Sequence, residues 1–176
     1  MLLRLKICNF IVDFQQFNTM IHTVKIELKP HLAEYLKGKF ADDKGVVRLP
    51  RRLSLYHLIC DLTAPQPASG YRRETGNVEL YLPHLSHGKC IDRFNYLSKA
   101  SVKAIEDSVS LMFKAEYIDY MTVCKLRHHI NYKDSASMFL VRYGVESITV
   151  DALIKSHKRL RDDIKPGVKR KYCHKN

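Results

Sequence analysis

Tyr96-Leu-Ser-Lys-Ala-Ser-Val-Lys-Ala-Ile-Glu-Asp-Ser-Val-Ser-Leu-Met-Phe-Lys-Ala-Glu-Tyr-Ile-Asp-Tyr-Met-Thr-Val-Cys-Lys-Leu-Arg-His128 contains no Gly and no Pro, and helix formers dominate it. Lys99, Lys103, Glu106, Ser110 and Lys114 recur every three or four residues and mark a wet stripe on a helical cylinder. The remainder is apolar, including Leu97, Ile105, Leu111, Met112, Ile118 and Met121. So wide a dry face must bury against a sheet, another helix or a second subunit. The reading is a long helix over 96–130, with a homodimer through 96–128 as one way of covering its face.

Upstream the period changes. Thr23 to Leu28 alternates apolar and charged residues, as a half-buried strand does. Pro30 suits a helix's first residue, and 31–37 reads as a short helix closed by Gly38. Asp42-Asp43-Lys44-Gly45 is a turn, and 46–49 a second strand stopped by Pro50. Ser54 can cap a helix over 55–62. A loop over 64–76 carries Arg72 and Arg73, a third strand covers 77–82, and a second loop covers 84–94. Residues 1–19 have no clear period and read as an extension, so order, or translation itself, is expected to start near Met20.

Downstream, Asp134 can cap a helix over 135–143, and Gly144 gives it a sharp stop. Ser147 or Thr149 then caps a helix from Val150 to about Asp163, which Pro166-Gly167 ends, leaving a mobile basic tail over 166–176. The fold class is therefore α+β. A small β-α-β-α-β region over 20–95 leads through the long helix to a helical hairpin of helix-turn-helix type over 131–165. No internal repeat is present.

The hairpin stretch reads Ser137-Met-Phe-Leu-Val-Arg-Tyr-Gly-Val-Glu-Ser-Ile-Thr-Val-Asp-Ala-Leu-Ile-Lys155. With Gly144 as turn glycine, Tyr143, Val145, Val150 and Leu153 fall where such a unit needs apolar anchors. The wording Arg142-Tyr-Gly-Val-Glu-Ser-Ile-Thr-Val150 resembles the basic-Tyr-Gly-Val-Ser…Thr-Val core of Mor-type phage activators and transposon-borne regulators. The resemblance covers about 35 residues and departs at Leu140, where these units take a small residue. It implies a DNA-binding helix-turn-helix in a regulator of a phage or mobile element. A purely structural hairpin with a glycine turn has the same pattern.

Charge weighs between the two. The chain of 176 residues has 30 Lys and Arg against 18 Asp and Glu, and the excess is concentrated at one end. From Lys155 onward nine cations face two carboxylates in 22 residues. A helix dipole explains two or three cations near a C-terminus, not seven net charges. Phosphate neutralisation explains all of them. The candidate DNA-binding residues are Arg142, Ser147, Thr149, Lys155, Lys158, Arg159, Arg161, Lys169, Arg170 and Lys171, with Ser147 and Thr149 presenting the recognition helix. Its first turn offers Glu146, Ser147, Thr149 and Asp151 but no Arg, Asn or Gln for bidentate base recognition. Phosphate contact is therefore better supported than sequence readout.

Five scattered cysteines without CxxC spacing suit reduced thiols in a cytoplasmic protein. Asn9 and Asp13 interrupt the opening apolar run, against a signal peptide, and no stretch reaches the length of a membrane span. His84, His87 and Cys90, with Cys60 as a fourth ligand, could hold zinc, and Cys124 and His128 are one turn apart; neither spacing fits a common zinc pattern. The carboxylate pairs Asp42-Asp43, Glu106-Asp107 and Asp162-Asp163 diverge, and no glycine series cradles phosphate. The expectation is a non-catalytic DNA-binding protein without cofactor, a small transcriptional or replication regulator. The alternatives are an assembly protein whose basic tail binds an acidic partner, and a metal enzyme using the His84/His87/Cys90 loop.

Overall fold

The computed structural model describes residues 22–68, 75–82 and 89–164, with side chains as far as Arg161. It is an α+β fold in which a two-stranded antiparallel sheet and two short helices lean on a three-helix unit. Strand β1 (Thr23–Ile26) pairs with β2 (Val78–Tyr81), Thr23 opposite Tyr81 and Ile26 opposite Val78. Ile26, Val78 and Leu80 face the core while Lys25 is exposed, which is the alternation legible in the sequence.

The strand expected over 46–49 contracts to one residue. The Val47 N–H donates to the Glu79 carbonyl (2.8 Å), and the Tyr81 N–H donates to the Val47 carbonyl (3.0 Å) on the free edge of β2. Two neighbours keep it short. Asp42 Oδ1 accepts the Lys44 and Val46 N–H groups in the tight turn before it, and Pro50 interrupts the ladder after it.

Helix α1 (Pro30–Phe40) starts at Pro30 as expected but runs through Gly38. Gly38 is a close-packing position and not a stop: a Cβ there would lie 2.0 Å from the carbonyl oxygen of Tyr143. Helix α2 (Ser54–Leu62) has Leu53, not Ser54, at its cap position, because a turn closed by the Leu53 N–H on the Pro50 carbonyl already starts the coil.

Helix α3 (Lys99–Arg127) begins after Tyr96, whose backbone instead pairs with Ala64, and Ser98 caps it by accepting the Ser101 N–H at 3.0 Å. Its buried positions include Ser101, Ile105, Val109, Phe113, Tyr117 and Met121, spaced by four. At 3.6 residues per turn each step advances about 40°, so the stripe winds around the helix. Its start meets α2, where Ser101 Oγ reaches the Leu62 carbonyl. Its middle meets α1 through Tyr35 against Phe113. The dry face is narrower than the sequence suggests. Leu111 lies two residues from both Val109 and Phe113, hence on the opposite side, and is 68% exposed.

Helix α4 (Tyr132–Tyr143) is capped by Asn131, which accepts the Asp134 N–H at 2.8 Å. Asp134, expected as the cap, instead occupies the first turn, where a carboxylate suits the helix dipole. Helix α5 (Val150–Ile164) follows. Phe113, Tyr117, Phe139, Tyr143 and Tyr35 interlock edge-to-face at centroid separations of 5.0 to 6.3 Å, which ties α1, α3 and α4 into one core. Among the described residues no helix is long and apolar enough to cross a membrane.

Candidate nucleic-acid interface

The α4–α5 hairpin is made by its glycine. Gly144 adopts φ 60°, ψ 37°, the left-handed conformation that a β-carbon opposes, and the Val145 N–H then reaches back to the Leu140 carbonyl at 2.9 Å. Tyr143, Val145 and Leu153 are buried and Val150 is half-buried, so all four expected anchors pack inward. The connection over 144–149 is six residues long, however, against the three or four of a tight helix-turn-helix. The larger side chain of Leu140 is buried here where a small one would allow closer approach.

The extra length is held by α1. The Glu34 carboxylate accepts the Glu146 N–H (2.9 Å), the Ser147 N–H (3.0 Å) and the Ser147 hydroxyl (2.7 Å). Burial opposes the charge on Glu34, but the donors from Ser147 and Glu146 prevail and hold its carboxyl below the ordinary value. Ser147, one of the two residues expected to present α5, is thereby an anchor of the turn. Thr149 takes the capping role foreseen for this pair, its Oγ1 accepting the Ala152 N–H at 3.2 Å. Nothing in the sequence signals Glu34, which lies more than a hundred positions from the turn it grips.

Beyond that anchored end, α5 divides cleanly. Leu153 and His157 point inward. The Ser156 hydroxyl bonds Tyr117 at 2.9 Å, and the His157 ring lies 5.0 Å from that of Tyr132. Burial, and then the Arg161 charge, lower the His157 pKa, so the imidazole is held neutral. Lys155, Lys158, Arg159 and Arg161 are exposed, and helical geometry spreads them over about 160° of the cylinder. Among the described residues the side chains of Lys155, Lys158 and Arg159 have no ion pair or hydrogen bond. Carboxylates gather at the opposite end, where Glu146 and Asp151 join Glu34.

Arg142 sits apart on the last turn of α4, exposed, with its guanidinium over the rings of Tyr120 (5.9 Å) and Tyr143 (5.7 Å). Lys169, Arg170 and Lys171 lie outside the described residues, as do Arg72, Arg73, His84 and His87. Cys60 and Cys124 are buried, Cys90 and His128 are exposed, and no three potential ligands converge among the described residues.

The other polar cluster is a joint between helices. Glu116 on α3 accepts hydrogen bonds from Tyr35 and Lys39 of α1 and from the Tyr143 hydroxyl of α4 at 2.5 Å. Burial together with the Glu116 charge raises the Tyr35 phenol and pushes Tyr143 up to about 12. Both phenols therefore remain protonated donors. No protein-family model matches the chain, and neither a curated protein nor a solved structure matches it.

Proposed function

We propose that the C-terminal helices bind double-stranded DNA through its phosphates and that the protein acts, without catalysis, as a small regulator of transcription or replication. The observation that carries this reading is the outward face of α5, where Lys155, Lys158 and Arg159 stand exposed with no carboxylate partner among the described residues. Four cations on other elements do have carboxylate partners: Lys29 and Lys103 with Glu106, Lys39 with Glu116, Arg48 with Asp42. Cations left free on one face, and held there by a buried His157 and Leu153 behind them, suit a partner that brings its own negative charge. The resemblance of 142–150 to phage and transposon regulators supports placing that regulator on a mobile element. Arg142 and the 169–171 tail would add further phosphate contacts.

Mobility-shift titrations of a random-sequence duplex at about 50 and 200 mM salt test it. Four phosphate contacts give a log–log slope of about −3.6, hence a loss of affinity of about 150-fold over that interval. An affinity that ignores salt, or a K155Q/K158Q/R159Q variant that binds as well as the parent, ends the proposal. Selection from a random DNA pool then separates a site-specific regulator, which enriches a motif, from a backbone binder, which does not.

A further inference from the structure

We propose that the corner between α3 and α4 is a second phosphate-binding patch, which joins the basic half of α5 in one two-part surface for a DNA duplex. This rests on the reading of α5 given above. The sequence places the site on α5 and the tail; the fold adds a cluster that lies some thirty positions earlier. Lys125 and Arg127 close α3, His128 and His129 make the turn, and Lys133 opens α4. All five are exposed, and none of their side chains has an ion pair or hydrogen bond among the described residues. The nearest carboxylate in sequence, Asp134, is already engaged by the Asn131 amide at 2.6 Å.

Two observations join this corner to α5. The Tyr132 ring packs against the His157 ring at 5.0 Å, so the first turn of α4 meets the middle of α5. Lys133 and Lys158 are the chain neighbours of those two rings and remain exposed beside the contact. The turn itself is held in a disfavoured shape. His129 has φ 56° although it is not glycine, and the Ile130 N–H donates to the Cys124 carbonyl at 3.1 Å. That closure brings α4 back along α3 and leaves Lys125, Arg127, His128, His129 and Lys133 exposed about the bend. Cations on two elements fit the repeated charge of a nucleic-acid backbone better than a single acidic side chain.

The test uses the full chain and a fluorescent duplex of about 20 base pairs, with anisotropy read across a salt series. The variants are K125Q/R127Q/K133Q, K155Q/K158Q/R159Q and the combination, with K125R/K133R as a charge-retaining control. With about seven phosphates spanned by the two parts the parent slope is about −6.3; each triple variant is expected to lower its magnitude by about 2 to 3, and the combination by about 5, while the control binds as the parent does. A corner variant with the parent's slope, beside an α5 variant whose slope falls, overturns the corner and leaves the proposed function standing. A parent that does not bind duplex at low salt overturns both. Polyglutamate that displaces the probe as effectively as unlabelled duplex makes the partner an acidic protein and likewise overturns the inference.

Discussion

Replacing Gly38 with Ala should destabilise the protein, although the same change inside an ordinary helix stabilises it by about 1 kcal/mol. The reason is geometric. An added Cβ would lie 2.0 Å from the Tyr143 carbonyl oxygen, 2.7 Å from its carbon and 3.0 Å from its Cα, all backbone atoms that cannot rotate away. Ordinary contact begins near 3.4 Å, so α1 and α4 must part by about 1.4 Å. That movement opens the Tyr35–Tyr143 ring contact at 5.3 Å and strains the Glu116 joint, which both phenols share. Overpacking against rigid atoms costs about 3 kcal/mol, and the gain in helix propensity returns about 1, leaving a net loss of about 2 kcal/mol. Urea unfolding followed by circular dichroism should show the midpoint falling by about 1 M at unchanged slope. A Gly38→Ala protein as stable as the parent, or more so, would refute the close approach of α1 to the end of α4.

Three further outcomes follow from particular contacts. Glu34→Ala removes the acceptor of three hydrogen bonds at the 146–147 turn, so exchange of the Glu146 and Ser147 amides should quicken about tenfold, read by amide hydrogen exchange; unchanged protection there would count against the grip. His129→Gly relieves the left-handed strain and should raise stability by about 0.5 to 1 kcal/mol net of the extra freedom of the unfolded chain, measured by thermal melting. Acid should destabilise in two stages. His31 and His157 have folded pKa values lowered from 6.5, chiefly by burial, so the unfolded chain takes up protons first and stability starts to fall below about pH 6.5. Glu34, Glu106 and Glu116 are lowered from 4.5 because hydrogen bonds outweigh their burial. Their contribution is complete above that value and is lost as pH drops through their folded values. Melting temperatures at pH 7, 5.5 and 3 check both stages, and a His157→Gln variant should flatten the first.

What was legible in the sequence is what depends on neighbours in the chain. The alternation of 23–26 and 78–81, the Gly- and Pro-free run of α3, and the Gly144 stop are local patterns, and each became the element it suggests. The misreadings concern residues whose role is decided from elsewhere. Gly38 reads as a stop until the Tyr143 carbonyl is set against it. Ser147 reads as a helix cap until Glu34 is seen to hold it and Thr149 to cap α5. Leu111 reads as core only while the dry stripe is taken to be straight. Asp134 and Ser54 are good cap residues in positions where Asn131 and a Pro50-led turn had already satisfied the helix start. The corner at 125–133 was visible as charge but not as a neighbour of α5, since the contact that unites them is one ring pair, Tyr132 against His157.

The direction of charge along α5 constrains the proposed contact with DNA. A recognition helix normally presents its N-terminal residues to base edges, but here that end is fastened to α1 and surrounded by the carboxylates of Glu34, Glu146 and Asp151. The helix dipole stabilises those carboxylates where they are, and they repel phosphate from the same place. At the other end the dipole is negative and Arg161, in the last turn, complements it, whereas Lys155, Lys158 and Arg159 lie further from that terminus and have no partner among the described residues. On the proposed reading a duplex approaching α5 meets attraction along its C-terminal half, which is also the half that Tyr132 and His157 fasten to the α3–α4 corner. A binder built this way gains affinity from the number of phosphates it spans and very little from the bases beneath them. Discrimination between sequences, if selection experiments detect any, must then come from how readily a duplex bends to reach the corner and α5 at once.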